Sequence, residues 1–164
     1  MNDALAMLAA TPKKVAHLVA EVPDAGLDAA PAGEWSARTI MAHLRDLESL
    51  VFRMRLERML VEDRPLFADF DENVWVASRS HARDEKTQLL GDFALQRQAS
   101  LNLIASMEPH GWERAGSHPT GGDYTVRSWV ERWAGHDTGH LAQLEAVLGE
   151  TLEDVLRRRF HSPD

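Results

Sequence analysis

The sequence feature that most constrains the fold is the segment from residue 36 to residue 61, which contains neither glycine nor proline. Apolar side chains recur in it every three or four positions, the spacing that places them on one face of an α-helix. Ser36 suits the N-cap of this helix, and Trp35 suits the apolar anchor that precedes a cap. The segment therefore predicts one long amphipathic helix, with its apolar stripe formed by Ile40, Leu47, Leu50, Val51 and Met54.

Helical spacing also dominates the rest of the chain. A first helix is predicted over residues 3–21, broken or kinked at Thr11-Pro12, and a third from Asp84 to about Met107. A fourth begins at the cap Thr125 and ends at Gly149, and a short final helix starts at Thr151. We find no alternating strand pattern and no internal repeat. We therefore expect an all-α four-helix bundle forming a single domain over residues 1–164, with its core at about 3–148 and a helical tail at 149–164.

Two long connections remain. Residues 62–83 are polar and irregular, and loops of that length tend to cover functional sites. Asp69, Asp71 and Glu72 in this loop are either solvated surface carboxylates or groups that reach the site described below. His118, which precedes Pro119 in the second connection, is expected to serve a turn.

Composition narrows the function. The chain has no cysteine, which excludes disulfides, thiolate metal ligands and a cysteine nucleophile. A net charge of −8 disfavours binding to phosphate backbones and anionic lipids. No apolar run reaches the roughly 20 residues of a membrane helix. We expect a cytoplasmic protein that acts on a small-molecule substrate, without nucleic-acid or membrane partners.

Three histidines carry the strongest functional signal. His136 and His140 lie four residues apart on the inward row of the fourth helix, so their Cβ atoms are about 5–6 Å apart. His43 is the single polar member of the apolar stripe of the second helix. Each histidine alone suits a core residue bonded to a backbone carbonyl or a carboxylate. Together, however, the three can offset the cost of burying unpartnered polar groups by binding one cation. We predict a divalent metal site at these residues, with nickel or zinc, because imidazole suits both ions.

The sequence indicates less clearly which residues assist the metal ligands. Asp46 lies one turn after His43 and Asp137 adjoins His136, so each either holds an imidazole N–H or accepts a proton, or is a solvated helix charge. Glu48 is predicted to point off the stripe. Trp133, one turn from His136, belongs either to the core or to the lining of a pocket. Trp35 is expected to pack, and the remaining histidines are expected to be exposed: His17, His81, His110 and His161.

Three stretches also resemble the DinB-like superfamily, which includes the YfiT-type metal-dependent hydrolases and bacterial thiol-dependent S-transferases. They are GEWSARTIMAHLRDLE (33–48), RPLFADFDENVW (64–75) and HPTGGDYTVRSWVERWAGHDTGHLAQLEAVL (118–148). The resemblance implies an up-down-down-up bundle whose divalent metal is held by His43, His136 and His140. It also implies a homodimer and, in some members, a low-molecular-weight thiol such as mycothiol or bacillithiol.

Three neutral imidazoles leave a divalent ion with its full charge and an open position, as in catalytic sites. We therefore expect a metal-dependent enzyme, a hydrolase or a thiol S-transferase. Any thiol must come from a cofactor or substrate, because the chain has no cysteine. A bundle that binds metal or a small ligand without turnover, and a structural module whose histidines only pack, are the alternatives.

Overall fold

The computed structural model describes residues 1–79 and 84–160. Within these ranges the chain is mainly helical, with two short strands. The elements are α1 (Asn2–Leu18), a 3₁₀ turn (Asp24–Asp28), α2 (Ala37–Leu47), a π-helical segment (Glu48–Arg53), α3 (Met54–Val61), α4 (Glu72–Ser78), α5 (Lys86–Ala105), a second 3₁₀ turn (Pro109–Glu113), β1 (Ala115–His118), β2 (Gly122–Thr125), α6 (Val126–Leu148) and α7 (Leu152–Phe160).

Four long helical units form the bundle: α1, the continuous run α2–π–α3, α5 and α6. Their inner faces meet in two apolar clusters, and the members of each cluster show which way each helix runs. One cluster joins the end of α1 and the end of α6 to the beginnings of α2 and α5, through Val15, Leu18, Leu144, Ile40 and Leu89. The other joins the opposite ends, through Leu8, Phe52, Ile104 and Val126. The order is therefore up-down-down-up, and the predicted four-helix bundle is confirmed.

Local signals explain where the bundle helices begin and end. The Ser36 hydroxyl accepts the Thr39 N–H at 3.2 Å at the start of α2. Thr125 and Ser128 cap the start of α6 reciprocally. Gly149 closes α6 with φ +68°, a left-handed conformation that suits glycine. These predicted boundaries are confirmed, and no described helix is long and apolar enough to cross a membrane.

Proline 12 does not break the first helix, contrary to prediction. A proline lacks the N–H that would bond to the carbonyl four residues earlier, here that of Leu8. That carbonyl instead accepts the Arg97 Nη1–H at 2.7 Å. A side chain of α5 thus satisfies the backbone group that Pro12 leaves open, and α1 continues to Leu18.

The second helix also departs from a regular pattern. Residues Glu48–Arg53 form a π-helical segment, a feature that changes the register of side chains along a helix. Glu48 is consequently buried, whereas Leu50 is 53% exposed. The predictions that Glu48 points off the stripe and that Leu50 belongs to it are therefore wrong, because a constant period of 3.6 residues does not hold across this segment.

The two connections contain more structure than predicted. The first includes α4, whose N-cap Asp71 accepts the N–H groups of Asn73 and Val74. The second forms the antiparallel hairpin β1–β2, which corrects the prediction of no strands. The strand sequences AGSH and GDYT do not alternate apolar and polar residues, so the pattern that identifies a strand is absent from them. A close approach helps fix the hairpin in place, since a Cβ at Gly116 would lie 2.4 Å from the Phe67 ring.

Candidate metal centre

The three histidines predicted as ligands come together in the structure. One ring nitrogen from each of His43, His136 and His140 lies within 4.8 Å of the others. The Nε2 atoms of His43 and His136 are 3.1 Å apart, and the three ring centroids are separated by 4.4–5.2 Å. Two nitrogens that bind one zinc ion at about 2.1 Å are about 3.4 Å apart in a tetrahedral site. The cluster is therefore compatible with one shared cation.

Helix α6 supplies two of the histidines from successive turns, and α2 supplies the third from the facing helix. His43 is completely buried, while His136 and His140 are half-buried. The cluster thus lies between the bundle core and the surface. A ligand or substrate can approach it from the side of α6 without unfolding the bundle.

The electrostatics keep the buried imidazoles neutral. Burial, followed by the neighbouring His140 and His136, lowers the pKa of His43 to about 2. Burial and His136 lower the pKa of His140 to about 4. Neutral imidazoles offer a lone pair, which is the form that binds metal.

The polar contacts around the rings also suit a cation. His140 Nδ1 lies 2.8 Å from Gln143 Oε1, so Nδ1 carries the proton and Nε2 keeps its lone pair. The Nδ1 atoms of His43 and His136 are buried without a hydrogen-bond partner within the described part of the chain. The nearest carboxylate to His43 Nε2 is Glu72 Oε1, at 4.0 Å. The lone pair of His140 Nε2 and the carboxylate of Glu72 beside His43 both favour a cation in the cluster.

Aromatic side chains enclose the cluster. The Trp35 ring stacks on His140 at 6.0 Å and lies 4.9 Å from His43. Trp75 packs edge-on against His43 at 5.2 Å, and Phe52 contacts His136 at 4.8 Å. The prediction that Trp35 packs is confirmed, and the surface on which it packs is the histidine cluster itself.

Asp46 acts on this aromatic wall rather than directly on an imidazole. Its carboxylate accepts the Trp75 indole N–H at 3.0 Å and the Arg45 Nε–H at 2.8 Å, and it also pairs with Arg79. Asp46 therefore fixes Trp75 against His43. Its predicted roles, holding an imidazole N–H or accepting a proton, stay predictions.

Asp137 is buried in a charged network directly behind His136. Its Oδ1 is 3.8 Å from His136 Nδ1, which is longer than a hydrogen bond. The Arg97 guanidinium binds Asp137 at 2.6 Å and Glu48 at 2.8 Å. Burial alone would raise the pKa of Asp137, but His136 and Arg97 hold it below its usual range. Asp137 is thus not a solvated helix charge, and its negative charge lies where it favours a cation on His136.

A cavity of about 880 Å³ opens beside the cluster. It is lined by His136 and by side chains from α2, α3, the hairpin and the 62–83 connection, including Phe52, Arg55, Asp69, Phe70, Glu72, His118, Tyr124, Trp129 and Arg132. Of the three acids singled out in this connection, Asp69 and Glu72 lie in this wall, whereas Asp71 caps α4. Trp133 is completely buried behind the cluster, and Trp129 lines the cavity in its place.

His118 forms the turn contact expected of it. Its Nδ1 accepts the Gly121 N–H at 3.0 Å, and its Nε2 is 3.1 Å from Asp69 Oδ1. The predicted exposure is confirmed for His110 but is wrong for His17, which is half-buried because its ring packs against Phe160. The predicted exposure of His81 and His161 lies outside the described residues.

Sequence reasoning missed several residues of the site. Arg97 occupies an inward row of α5 formed by Leu90, Phe93, Arg97, Ser100 and Ile104, which has the same three-and-four spacing that identified His43. The signal was therefore present. Glu48 gave no such signal, because its burial depends on the π-helical segment. Trp75 and Gln143 carry no local pattern that distinguishes them from ordinary helix residues.

The bundle and the site together define a class of protein. It is an up-down-down-up four-helix bundle in which two facing helices bring three imidazoles together at the edge of a cavity. The chain belongs to the DinB superfamily, whose family model matches residues 7–144.

Two similar proteins come from Bacillus subtilis. YuaE of strain 168, described as an uncharacterized protein, is 29% identical over 127 residues, which cover 71% of this chain and 78% of that protein. The solved structure of YfiT superposes with a TM-score of 0.79 at 20% identity, covering 96% of this chain and 86% of that chain. YfiT is described as a probable metal-dependent hydrolase with an unusual four-helix bundle topology. At this identity the similarity establishes a shared fold.

Proposed function

We propose that this chain is a metal-dependent enzyme that acts on a small molecule, as a hydrolase or a low-molecular-weight-thiol S-transferase. The observation that carries the proposal is the convergence of three imidazoles from two helices at the edge of an 880 Å³ cavity. A purely structural cluster would need neither the cavity nor the carboxylate of Glu72 beside it. The description of YfiT as a probable metal-dependent hydrolase supports the same reading.

The proposed ligands are His43, His136 and His140, and the proposed ion is divalent nickel or zinc. Such an ion, when bound, supplies Lewis-acid chemistry: it polarises a carbonyl or phosphoryl group and lowers the pKa of a water or thiol nucleophile. The chain itself has no thiol. In an S-transferase reaction a thiol such as mycothiol or bacillithiol would have to enter through the cavity.

The other side chains orient the ligands, exclude water and accept a proton. Gln143 holds the His140 Nδ1–H, so that Nε2 faces the site. Trp35 and Trp75 pack against the His43 ring and exclude water from it. Glu72 is exposed and lies in the cavity wall, where its Oε1 is placed to accept a proton from a nucleophile.

The test measures metal content and turnover on the same protein. Protein purified without an affinity tag is analysed for metal, then assayed against activated esters and amides, and against electrophiles with mycothiol or bacillithiol. We expect one divalent ion per chain and an activity that chelation removes and metal restores. Bound metal without turnover would favour the non-catalytic binding protein, and turnover that survives verified metal removal would contradict the proposal. The cytoplasmic location, the homodimer and the absence of nucleic-acid and membrane partners stay predictions.

A further inference from the structure

Arg55 is a buried cation with unused hydrogen-bonding capacity. Its side chain lines the cavity, yet the residue is only 7% exposed. The guanidinium lies 5.4 Å from the centres of both the Phe67 and the Trp129 rings, and its Nη2–H bonds to the Ala68 carbonyl at 2.6 Å. Its Nε–H is buried without a partner. Within residues 1–79 and 84–160, no carboxylate lies within 4.0 Å of this guanidinium.

A second arginine lines the same cavity from the opposite helix. Arg132 is exposed on α6, one turn before His136, with its guanidinium 5.6 Å from the centre of the Tyr124 ring. The structure gives it no ion pair within the described ranges. Burial is the main cause that lowers the pKa of Arg55, and repulsion from Arg132 lowers it further, while attraction to Tyr124 and Asp69 acts in the opposite direction. Two guanidinium groups with the same positive charge repel each other when they line one cavity. An anion bound between them would relieve that repulsion.

The acids of the cavity neutralise this pair only in part, because each is engaged by another group. Asp69 is engaged by His118 and by the Thr120 hydroxyl, each at 3.1 Å. Glu72 is directed toward His43. Their charges nevertheless limit the positive potential of the cavity, so a singly charged anion suits it better than a dianionic phosphate.

We propose that Arg55 and Arg132 form a binding site for the carboxylate group of the substrate. A carboxylate accepts N–H groups from a planar guanidinium, and the Nε–H of Arg55 is a donor without a partner. The role of this site in turnover rests on the proposed function, but carboxylate binding itself does not. The proposal thus adds a substrate class, small carboxylic acids, to the proposed chemistry.

The position of Arg55 also sets the shape of the substrate. Arg55 follows Phe52 by three residues, a rise of about 4.5 Å along the helix, and the Phe52 ring contacts His136 at 4.8 Å. The carboxylate therefore binds about one helical turn beyond the histidine cluster. The rings of Phe70, Tyr124 and Trp129 line the cavity that joins them. We expect an acid whose reactive group and carboxylate are separated by a short apolar segment.

A matched pair of probes tests this site without knowledge of the substrate. Binding of 4-phenylbutanoate and of its neutral amide, 4-phenylbutanamide, is measured by calorimetry on the protein as purified and after chelation. We expect the carboxylate to bind at least about tenfold more tightly than the amide, as charge-assisted hydrogen bonds imply. The substitutions Arg55→Gln and Arg132→Gln should each bring this ratio toward one. The control Arg127→Gln, which removes an exposed arginine of α6 outside the cavity lining, should leave the ratio unchanged.

Arg132 is exposed, so its replacement does not endanger folding. The binding ratio of Arg132→Gln therefore tests the proposal even if Arg55→Gln fails to fold. Equal binding of acid and amide, no binding of the acid, or an unchanged ratio in Arg132→Gln would overturn the proposal. A preference that disappears on chelation would place the carboxylate on the metal, and would overturn the arginine assignment while supporting the proposed function. A preference that persists in protein shown to bind no metal would support the arginine site and contradict the metal proposal.

Discussion

At the scale of single residues, the three histidines are not equivalent in burial although they converge on one point. His43 is completely enclosed, whereas His136 and His140 are half-buried and His136 borders the cavity. Water cannot reach a histidine enclosed in this way, so it cannot hydrogen-bond to the ring in place of an absent ion. The enclosed residue therefore decides whether the cluster is a metal site or a packing arrangement.

Replacing His43 by Ala should weaken metal binding as severely as replacing His136 or His140. Two ligands from one helix do not close the site, and the third comes from α2. We expect the dissociation constant for zinc to rise at least about a hundredfold, the upper end of what loss of a ligand-orienting residue causes. Competition with a chromophoric chelator measures it, with the exposed His110→Ala as the control. A His43→Ala protein that binds zinc like the unmodified chain would show that another residue completes the site.

At the scale of elements, Arg97 joins four helical units at one level of the bundle. Its guanidinium binds the Leu8 carbonyl of α1, Glu48 of the π-helical segment and Asp137 of α6. The two carboxylates are both buried, and burial raises the pKa of Glu48 even against the charge of Arg97. The helices are thus held in register by one cation as well as by apolar packing.

Removing that cation should be costly. Arg97→Leu leaves two buried carboxylates without a counter-charge, and breaking a buried ion pair in this way costs about 3–5 kcal/mol. Urea denaturation measures the loss of unfolding free energy. The exposed Arg157→Leu on α7, expected to change stability by less than about 0.5 kcal/mol, serves as the control. A loss below about 1 kcal/mol in Arg97→Leu would mean that the carboxylates take up protons and that the network contributes little.

The same elements show which features of the fold and the site can be predicted from the sequence. His43, His136 and His140 were found because helices of regular period hold them, so that spacing alone fixes their faces. Glu48 was misplaced because its face is set by a π-helical segment, whose irregular hydrogen bonding is not written in residue spacing. The hairpin and α4 were missed because each is short and depends on contacts distant in sequence, such as the pairing of Phe67 N–H with the Ser117 carbonyl at 2.8 Å. Local periodicity thus predicted the bundle and the convergence of the three histidines, and tertiary contacts determined the cavity beside them.

At the scale of the whole molecule, the bundle has two apolar clusters that do not depend on an ion. Chelation should therefore lower thermal stability without abolishing the fold. A ligand that binds only the native state stabilises it by about 2.7 kcal/mol at a hundredfold excess over its dissociation constant, which corresponds to roughly 5–10 °C in Tm for a chain of this size. Circular dichroism with and without chelator measures both quantities. A random-coil spectrum after chelation would contradict the expectation.

The metal-free protein should also lose stability as the pH falls below about 6.5. In the folded state the pKa of His43 is about 2 and that of His140 about 4, against about 6.5 for an unperturbed histidine. Below pH 6.5 the unfolded chain therefore binds protons that the folded chain does not bind. The free energy of unfolding falls as the pH is lowered, by up to about 1.4 kcal/mol per pH unit for His43.

Urea denaturation between pH 7 and pH 5 in the presence of chelator isolates this effect, because most carboxylates titrate below that window. The double substitution His43→Asn with His140→Asn should flatten the dependence, while His110→Asn should leave it as it is. A metal-free protein equally stable at both pH values would show that the two imidazoles take up protons in the folded chain as readily as in the unfolded chain.

Proline 12 has a consequence for how this helix tolerates change. In an isolated helix, replacing an interior proline by alanine is strongly favourable, since it restores a hydrogen bond and relieves a clash. Here the restored N–H of residue 12 would compete with Arg97 for the Leu8 carbonyl. Positions 12 and 97 are therefore energetically coupled, although one belongs to the surface of α1 and the other to the centre of the bundle. A substitution at position 12 that stabilises the first helix would weaken the hold on Arg97, which neutralises Asp137. It would thereby change the charge next to the imidazole of His136.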